Sequence, residues 1–247
     1  MAKKIWVVGL GPGSREMMTG QAKKALEACS VIVGYHVYID LVKEDYPDKR
    51  LLSTPMKREE ERCKIALEEA GKGEDVAFVC SGDPGVYGMA GLLLEMAKDF
   101  PEVDIQVLPG ITAACSGAAV LGAPLIHDFC LISLSDLLTP WETIEKRLRL
   151  AAEAGFIMAI YNPSSHKRHD YLQKACDILL TILPGETVCG TVQNIGREGE
   201  EGKTMSLLEL RDTSVDMFTT VFIGNSTTKA LNGKMITPRG YQTEKAD

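Results

Sequence analysis

Four runs of small residues stand where strand-like segments end: Gly9-Leu10-Gly11-Pro12-Gly13, Ser81-Gly82-Asp83-Pro84-Gly85, Pro109-Gly110-Ile111-Thr112-Ala113-Ala114 and Tyr161-Asn162-Pro163-Ser164-Ser165. Glycine lets the main chain come close to a ligand, and parallel sheets take their ligands at the carboxyl ends of strands. A dinucleotide is a poor match for these loops. The third glycine of a G-x-G-x-x-G fingerprint would fall on Ser14, and Pro12 removes an amide that a pyrophosphate would use. The stretch Cys29-Ser30-Val31-Ile32-Val33-Gly34 offers no acid for a ribose, although Glu27 is near. Proline-interrupted loops still present carbonyl oxygens, and Asp83 adds a carboxylate. That combination suits a sulfonium cation better than a phosphate. Asp83 is equally readable as a turn or helix-cap residue.

The charged candidates are fewer. His166-Lys167-Arg168-His169 follows Pro163-Ser164-Ser165 and opens an expected helix. Cations there oppose the helix dipole at a cost of ~0.3–1 kcal/mol each, which a bound carboxylate would offset. A solvated basic turn is the alternative, and the two histidines lack a nearby third ligand for a metal. Lys57 and Arg58 open another expected helix; Lys57 is the better candidate for a carboxylate or acid role, Arg58 for a solvated first turn. Tyr35 could line a substrate trough or be a buried aromatic. Asp136 could accept a proton or cap the helix that starts near Trp141. Arg197 and Arg239 read as substrate or dimer contacts, or as surface ion pairs. His127-Asp128 reads as a structural pair at a hinge, and Met17, Met18 and Met89 as core filler.

The elements that must position these residues alternate. Ile5-Val8, Val31-Val33, Val76-Cys80 and Ile105-Leu108 read as strands, separated by helical segments Gly20–Ala28, Arg58–Ala70 and Ala90–Lys98, with small helix-compatible residues over 112–121. Near-continuous apolar strands in a βαβα rhythm imply a mostly parallel sheet covered on both faces. Gly122-Ala123-Pro124 breaks the rhythm, so a first α/β domain is expected over 1–121 and a second, with a mixed sheet, over 122–247. In the second, strands are expected at Phe129-Ile132, Phe156-Tyr161, Thr187-Val192 and Thr219-Ile223, and helices at Trp141–Ala154 and Asp170–Leu180. A cleft between two α/β halves is a usual ligand site.

Bulk composition narrows the function class. The 247 residues are 45% hydrophobic and 25% charged, as in an ordinary globular protein. No apolar run approaches the ~18 residues of a membrane span, and Ile5-Trp6-Val7-Val8 is too short for a signal-peptide core. The 7 cysteines form no Cys-x-x-Cys pair and sit mostly in apolar segments, which favours reduced, buried thiols in a cytoplasmic protein. A net charge of −7 argues against a nucleic-acid partner and requires a local positive patch for any anionic ligand.

The ordered set of loops resembles the tetrapyrrole methyltransferase superfamily over about residues 4–240. Gly9-Leu10-Gly11-Pro12-Gly13 is similar to its opening motif, and Ser81-Gly82-Asp83-Pro84 and Pro109-Gly110-Ile111-Thr112-Ala113 to its cofactor loops. The finer resemblance is to the precorrin-3B C17-methylase branch and its cobalt-precorrin relatives. It is carried by Val33-Gly34-Tyr35, Met56-Lys57-Arg58-Glu59, Val86-Tyr87-Gly88-Met89-Ala90, the stretch from Leu134 to Trp141, Tyr161-Asn162-Pro163-Ser164-Ser165, Gly196-Arg197-Glu198-Gly199-Glu200, the stretch from Thr219 to Ser226, and Met235-Ile236-Thr237-Pro238-Arg239-Gly240-Tyr241. Gly34-Tyr35 departs from the Tyr-Asp pair of the uroporphyrinogen III methylases.

The resemblance implies a homodimer of two-domain subunits using S-adenosylmethionine. It places the cofactor between the domains on backbone at Pro12, Gly82, Asp83, Val86, Thr112, Ala113, Asn162 and Gly196. The anionic tetrapyrrole would lie in a trough, within reach of Lys167, Arg168, Arg197 and Arg239, with Lys57, Asp136 and Tyr35 as candidates for chemistry. The implied reaction of cobalamin biosynthesis methylates C17 as the ring contracts with displacement of C20. Alternatives are a corrin or sirohaem-precursor methylase of the same fold, a non-catalytic tetrapyrrole carrier, and an RNA methylase, which the acidic balance disfavours.

Overall fold

The computed structural model describes residues 3–165 and 168–241. The chain forms two compact units, Met1–Thr112 and Ala113–Asp247. The first contains β1 (Lys3–Gly9), α1 (Gly20–Ala28), β2 (Val31–Tyr35), α2 (His36–Asp40), β3 (Arg50–Thr54), α3 (Glu59–Gly71), β4 (Val76–Cys80), α4 (Ala90–Met96) and β5 (Val103–Leu108). Its sheet has the order β3-β2-β4-β1-β5, and every pairing is parallel.

Alternate residues of its strands enter two separate cores. Val8, Ile32, Ala77 and Val79 pack with Ala22, Leu26 and Ile39 of α1 and α2, whereas Ile5, Val7, Val33 and Phe78 pack with Ala66, Leu67 and Leu93 of α3 and α4. Burial on both faces explains why these strands read as unbroken apolar runs. Local signals fix the helix starts. The Thr19 hydroxyl accepts from the Ala22 amide at 3.1 Å, and Glu59, Glu60 and Glu61 fill the first turn of α3, where the dipole favours anions.

The second unit contains α5 (Ala113–Leu121), β6 (Gly122–Ala123), β7 (Phe129–Ser133), α6 (Trp141–Glu153), β8 (Ile157–Tyr161), α7 (Tyr171–Leu179), β9 (Val188–Gln193), β10 (Glu201–Ser206), α8 (Leu207–Arg211), β11 (Thr219–Ile223), β12 (Lys229–Leu231) and β13 (Lys234–Ile236). Its main sheet, β10-β9-β11-β8-β7, is mixed: β7 and β8 run parallel and the other neighbours antiparallel. A small sheet joins β12, β13 and β6.

Two expectations need correction. The units part before α5, not after it, because Ala114, Ala118 and Leu121 pack on Ala159, Val192 and Phe222 of the second sheet. Gly122-Ala123 is accordingly no boundary: it pairs with Met235-Ile236, and His127-Asp128 lies well inside the second unit rather than at a hinge. The strands β3 and β10 were not expected. The stretch from Glu201 to Ser206 is largely polar, with none of its residues fully buried, and becomes a strand only through its pairing with β9.

Candidate active site

The first two small-residue loops and the start of the third, Pro109–Thr112, belong to the first unit, and all three follow neighbouring strands of its sheet. They are knitted to one another by main chain. The Gly11 amide donates to the Gly82 carbonyl at 3.1 Å and the Gly82 amide donates back to Gly11 at 2.7 Å, while the Leu10 amide donates to Cys80 at 2.8 Å. The Asp83 carboxylate ties in the third loop: one oxygen accepts from the Gly85 amide at 2.8 Å, the other from the Gly110 amide at 3.0 Å. The backbones touch so closely that a Cβ on Gly9 would lie 2.5 Å from the Gly110 nitrogen, and one on Gly110 would collide with the Gly82 carbonyl. Glycine at 9 and 110 is therefore demanded by loop-on-loop packing, a reason not apparent when each loop is read alone.

This knot decides what the loops can hold. The amides of Leu10, Gly11, Gly82, Gly85, Val86 and Gly110 are all spent on protein acceptors, and Pro12, Pro84 and Pro109 have none. A pyrophosphate would find few donors here. Carbonyl oxygens carry a second lone pair even after accepting one bond, so the surface stays rich in acceptors. That donor-poor, acceptor-rich edge fits a ligand bearing positive charge and hydroxyl or amino donors.

Beside the knot lies a second group of candidates on the same unit. Tyr35 ends β2 and meets His36 and Tyr38 edge-on, at ring distances of 4.4 and 5.2 Å. Lys57 sits in the turn between β3 and α3 with φ of 66°, and Tyr87 follows the second loop with φ of 52°. Among the described residues these are the non-glycine, non-asparagine positions in left-handed backbone, where a side chain is sterically costly and the surrounding structure must hold it. Lys57 is exposed, and its amide donates to the Glu59 carboxylate at 3.2 Å.

Arg62, on α3, was missed by sequence reasoning. It is 4% exposed and reaches the Thr54 hydroxyl at 2.8 Å, the Pro55 carbonyl at 3.0 Å, the Met89 sulfur and the face of Tyr35. Met89 packs against the core of the first unit, as expected, and is also partner to the guanidinium. An arginine inside a Glu/Arg/Lys-rich helix carries no sequence signal that sets it apart from its solvated neighbours.

In the second unit the remaining candidates form a different network. Arg168 and Asp136 make an ion pair at 2.9 Å, and the Tyr171 hydroxyl donates to the other Asp136 oxygen at 2.6 Å. That carboxylate holds the Tyr171 phenol above its ordinary range. Arg168 also donates to Ser135 at 3.2 Å. The helix that follows starts at Tyr171, so Arg168 precedes it, and the anion expected beside this arginine is the protein's own Asp136. Asp136 does not cap α6, whose N-cap is Pro140. Lys167 lies outside the described residues.

Asn162 has φ of 53° and donates to the Ser133 hydroxyl at 2.9 Å. Ala113 opens α5, whose Ala114 amide donates to the Tyr161 hydroxyl at 2.8 Å. Gly196 lies in the connection between β9 and β10, with φ of 68° and its amide donating to Glu200 at 2.7 Å. Arg197 lies over the Phe218 ring at 5.7 Å, and Arg239 donates to the Ile126 carbonyl at 3.1 Å.

The profile of the tetrapyrrole (corrin/porphyrin) methylases matches residues 4–211. The chain belongs to that family. It is 48% identical over 236 residues to the "Probable cobalt-factor III C(17)-methyltransferase" of Salmonella typhimurium, covering 95% of this chain and 98% of that one. It is 40% identical over 250 residues to the "Precorrin-3B C(17)-methyltransferase" of a Sinorhizobium species, covering 98% of each. A crystal structure of the methyltransferase CobJ superposes with a TM-score of 0.88 at 38% identity, over 95% of this chain and 99% of that chain. The two-unit α/β architecture is accordingly the tetrapyrrole methylase fold. No helix among the described residues is long and apolar enough to cross a membrane.

Proposed function

We propose that this tetrapyrrole methylase is an S-adenosylmethionine-dependent C-methyltransferase of cobalamin biosynthesis, acting at C17 of precorrin-3B or its cobalt-bearing counterpart as the macrocycle contracts. The observation that carries the cofactor half is the donor-poor, acceptor-rich knot of loops at the edge of the first sheet. The substrate half rests on the two named C17-methyltransferases, each matched over nearly its full length.

When bound, S-adenosylmethionine supplies a methyl carbon on positively charged sulfur, open to in-line displacement by an electron-rich carbon. The protein's part is then alignment and exclusion of water, since no covalent nucleophile is needed. Alignment of two reactants can supply on the order of 7–11 kcal/mol of the barrier. Pro12, Gly82, Asp83, Val86 and Thr112 offer main-chain oxygens preorganised by the knot, which stabilise charge without reorganising. Ala113, Asn162 and Gly196 are assigned to the cofactor by the family resemblance alone.

Lys57 and Tyr35 are our candidates for contact with the macrocycle and its proton transfers. Asp136 is engaged by both Arg168 and Tyr171, so we assign that trio to holding the loops after β7 and β8 rather than to proton abstraction. Lys167, Arg197 and Arg239 remain candidates for the substrate carboxylates, and the enzyme is read as a homodimer.

The test is incubation of the purified protein with S-adenosylmethionine and, separately, cobalt-factor III, cobalt-precorrin-3 and precorrin-3B, followed by mass spectrometry. One added methyl on at least one macrocycle is expected, and which one gains it settles whether cobalt is present in the substrate. No methyl on any of them would reject the C17 assignment. Failure to bind S-adenosylhomocysteine would reject the cofactor site as well.

A further inference from the structure

The first unit buries two charged side chains and treats them differently. Glu69 is 6% exposed and is paired with two cations, Lys72 at 2.7 Å and Arg50. Arg62 is 4% exposed, and among the described residues no carboxylate lies within ion-pair distance of it. Its acceptors are a hydroxyl, a carbonyl, a thioether and an aromatic face. The thioether is a weak acceptor. These contacts use one N–H on each guanidinium nitrogen, which leaves the second N–H on each of the two terminal nitrogens without an acceptor among the described residues. The nearby acids of α3 are engaged elsewhere: Glu59 accepts from the Lys57 amide, and Glu61 pairs with Arg58 at 3.3 Å.

Burying a charge without a counter-charge is costly, and an apolar side chain of similar length would fill the same space more cheaply. The groups Arg62 joins all lie at the carboxyl edge of the sheet, where parallel sheets bind ligands: Tyr35 at the end of β2, Thr54 at the end of β3 with Pro55 just beyond it, and Met89 in the connection from β4 to α4. Its bond to the Pro55 carbonyl braces the turn that carries Met56 and the left-handed Lys57.

We infer that Arg62 is a positioning residue for the anionic macrocycle, bracing the Thr54–Lys57 turn against Tyr35 while its uncompensated charge draws a substrate carboxylate to that turn. The missing counter-charge is the one the substrate brings. This inference rests on the tetrapyrrole reading above, so the wild-type enzyme must first methylate one of the macrocycles; if it does not, that reading fails and not this one.

Two variants then decide it. Arg62→Met keeps length and burial but removes the charge. Met89→Glu places a carboxylate against the guanidinium and supplies the counter-ion internally, with Met89→Gln as its neutral control. Each is assayed for thermal midpoint, S-adenosylhomocysteine affinity, and kcat and KM for the macrocycle across a series of KCl concentrations. For Arg62→Met the macrocycle KM is expected to rise on the order of tenfold, the loss of about one charge-assisted contact. Its dependence on salt should flatten, S-adenosylhomocysteine affinity should stay within about twofold, and Arg62→Lys should recover part of the KM.

Met89→Glu is expected to raise the thermal midpoint and the macrocycle KM together, and Met89→Gln to do neither. An unchanged KM and salt dependence in Met89→Glu, alongside a raised midpoint, would show Arg62 to be structural only and overturn the inference. That variant leaves Arg62 in place, so it decides the matter even if Arg62→Met does not fold.

Discussion

Replacing Asp83 by alanine removes the clasp between the second and third loops. The carboxylate accepts two amide hydrogen bonds, from Gly85 at 2.8 Å and from Gly110 at 3.0 Å. A hydrogen bond to a charged group is worth about 1.5–3 kcal/mol net. Asp83 is only half-buried, so the lower end applies to each bond, and the pair should hold the loops by about 2–4 kcal/mol. Asparagine keeps one acceptor oxygen and should lose about half of that. If the knot must re-form for the cofactor to bind, S-adenosylhomocysteine affinity should fall by roughly 30- to 700-fold in Asp83→Ala, at about 1.4 kcal/mol per factor of ten. Calorimetric titration reads the affinity, and amide hydrogen exchange of Gly85 and Gly110 reads the clasp without ligand. Both amides should exchange faster in the variant. Weakened binding with unchanged exchange would mean that Asp83 contacts the cofactor directly; unchanged binding would refute its role altogether.

A methyl group on Gly110 would meet the Gly82 carbonyl, so Gly110→Ala should cost about 1–3 kcal/mol of stability and weaken cofactor binding. Gly91 lies in α4 with nothing within 4 Å of its missing Cβ. Gly91→Ala should therefore gain about 0.4–1 kcal/mol, and a reversed order of thermal midpoints would contradict the packing argument. The Lys72 ammonium and the Arg50 guanidinium hold Glu69 below its ordinary value of 4.5. A depressed folded pKa contributes stability at pH values above the unfolded one and loses it as pH falls from about 4.5 through the folded value. Urea midpoints should drop over that acid range in the wild type and drop less in Glu69→Gln; parallel curves would reject the linkage. Burial pushes the Cys63 and Cys176 thiols up to about 12 and those of Cys29 and Cys80 to about 11. A disulfide reagent at neutral pH should thus label exposed Cys115 first and these four only on unfolding; rapid labelling of the four in the folded protein would refute it.

Much of the architecture was legible in the chain because its signals are local. Apolar runs bounded by glycine and proline marked the long strands, and their lack of alternation marked burial on both faces. The strands β3 and β10 were not legible: neither has an apolar run of its own, and each is a strand because a neighbour offers it a ladder. The break at Gly122 was legible as a turn but not as a place in the fold, since what assigns α5 is the sheet it packs on.

The candidate site divides in the same way. Which residues are glycine, proline or aspartate, and that they follow strands, belongs to the sequence, as does the family resemblance carried by their order. That Gly9 and Gly110 must be bare for each other, that Asp83 clasps two loops, that Asp136 is already paired and that Arg62 is not, are pairwise facts between segments far apart in the chain. Composition and spacing encode the preferences of single segments. Compensation of a charge or a hydrogen bond depends on which groups folding brings within about 3 Å, and only the tertiary structure decides that.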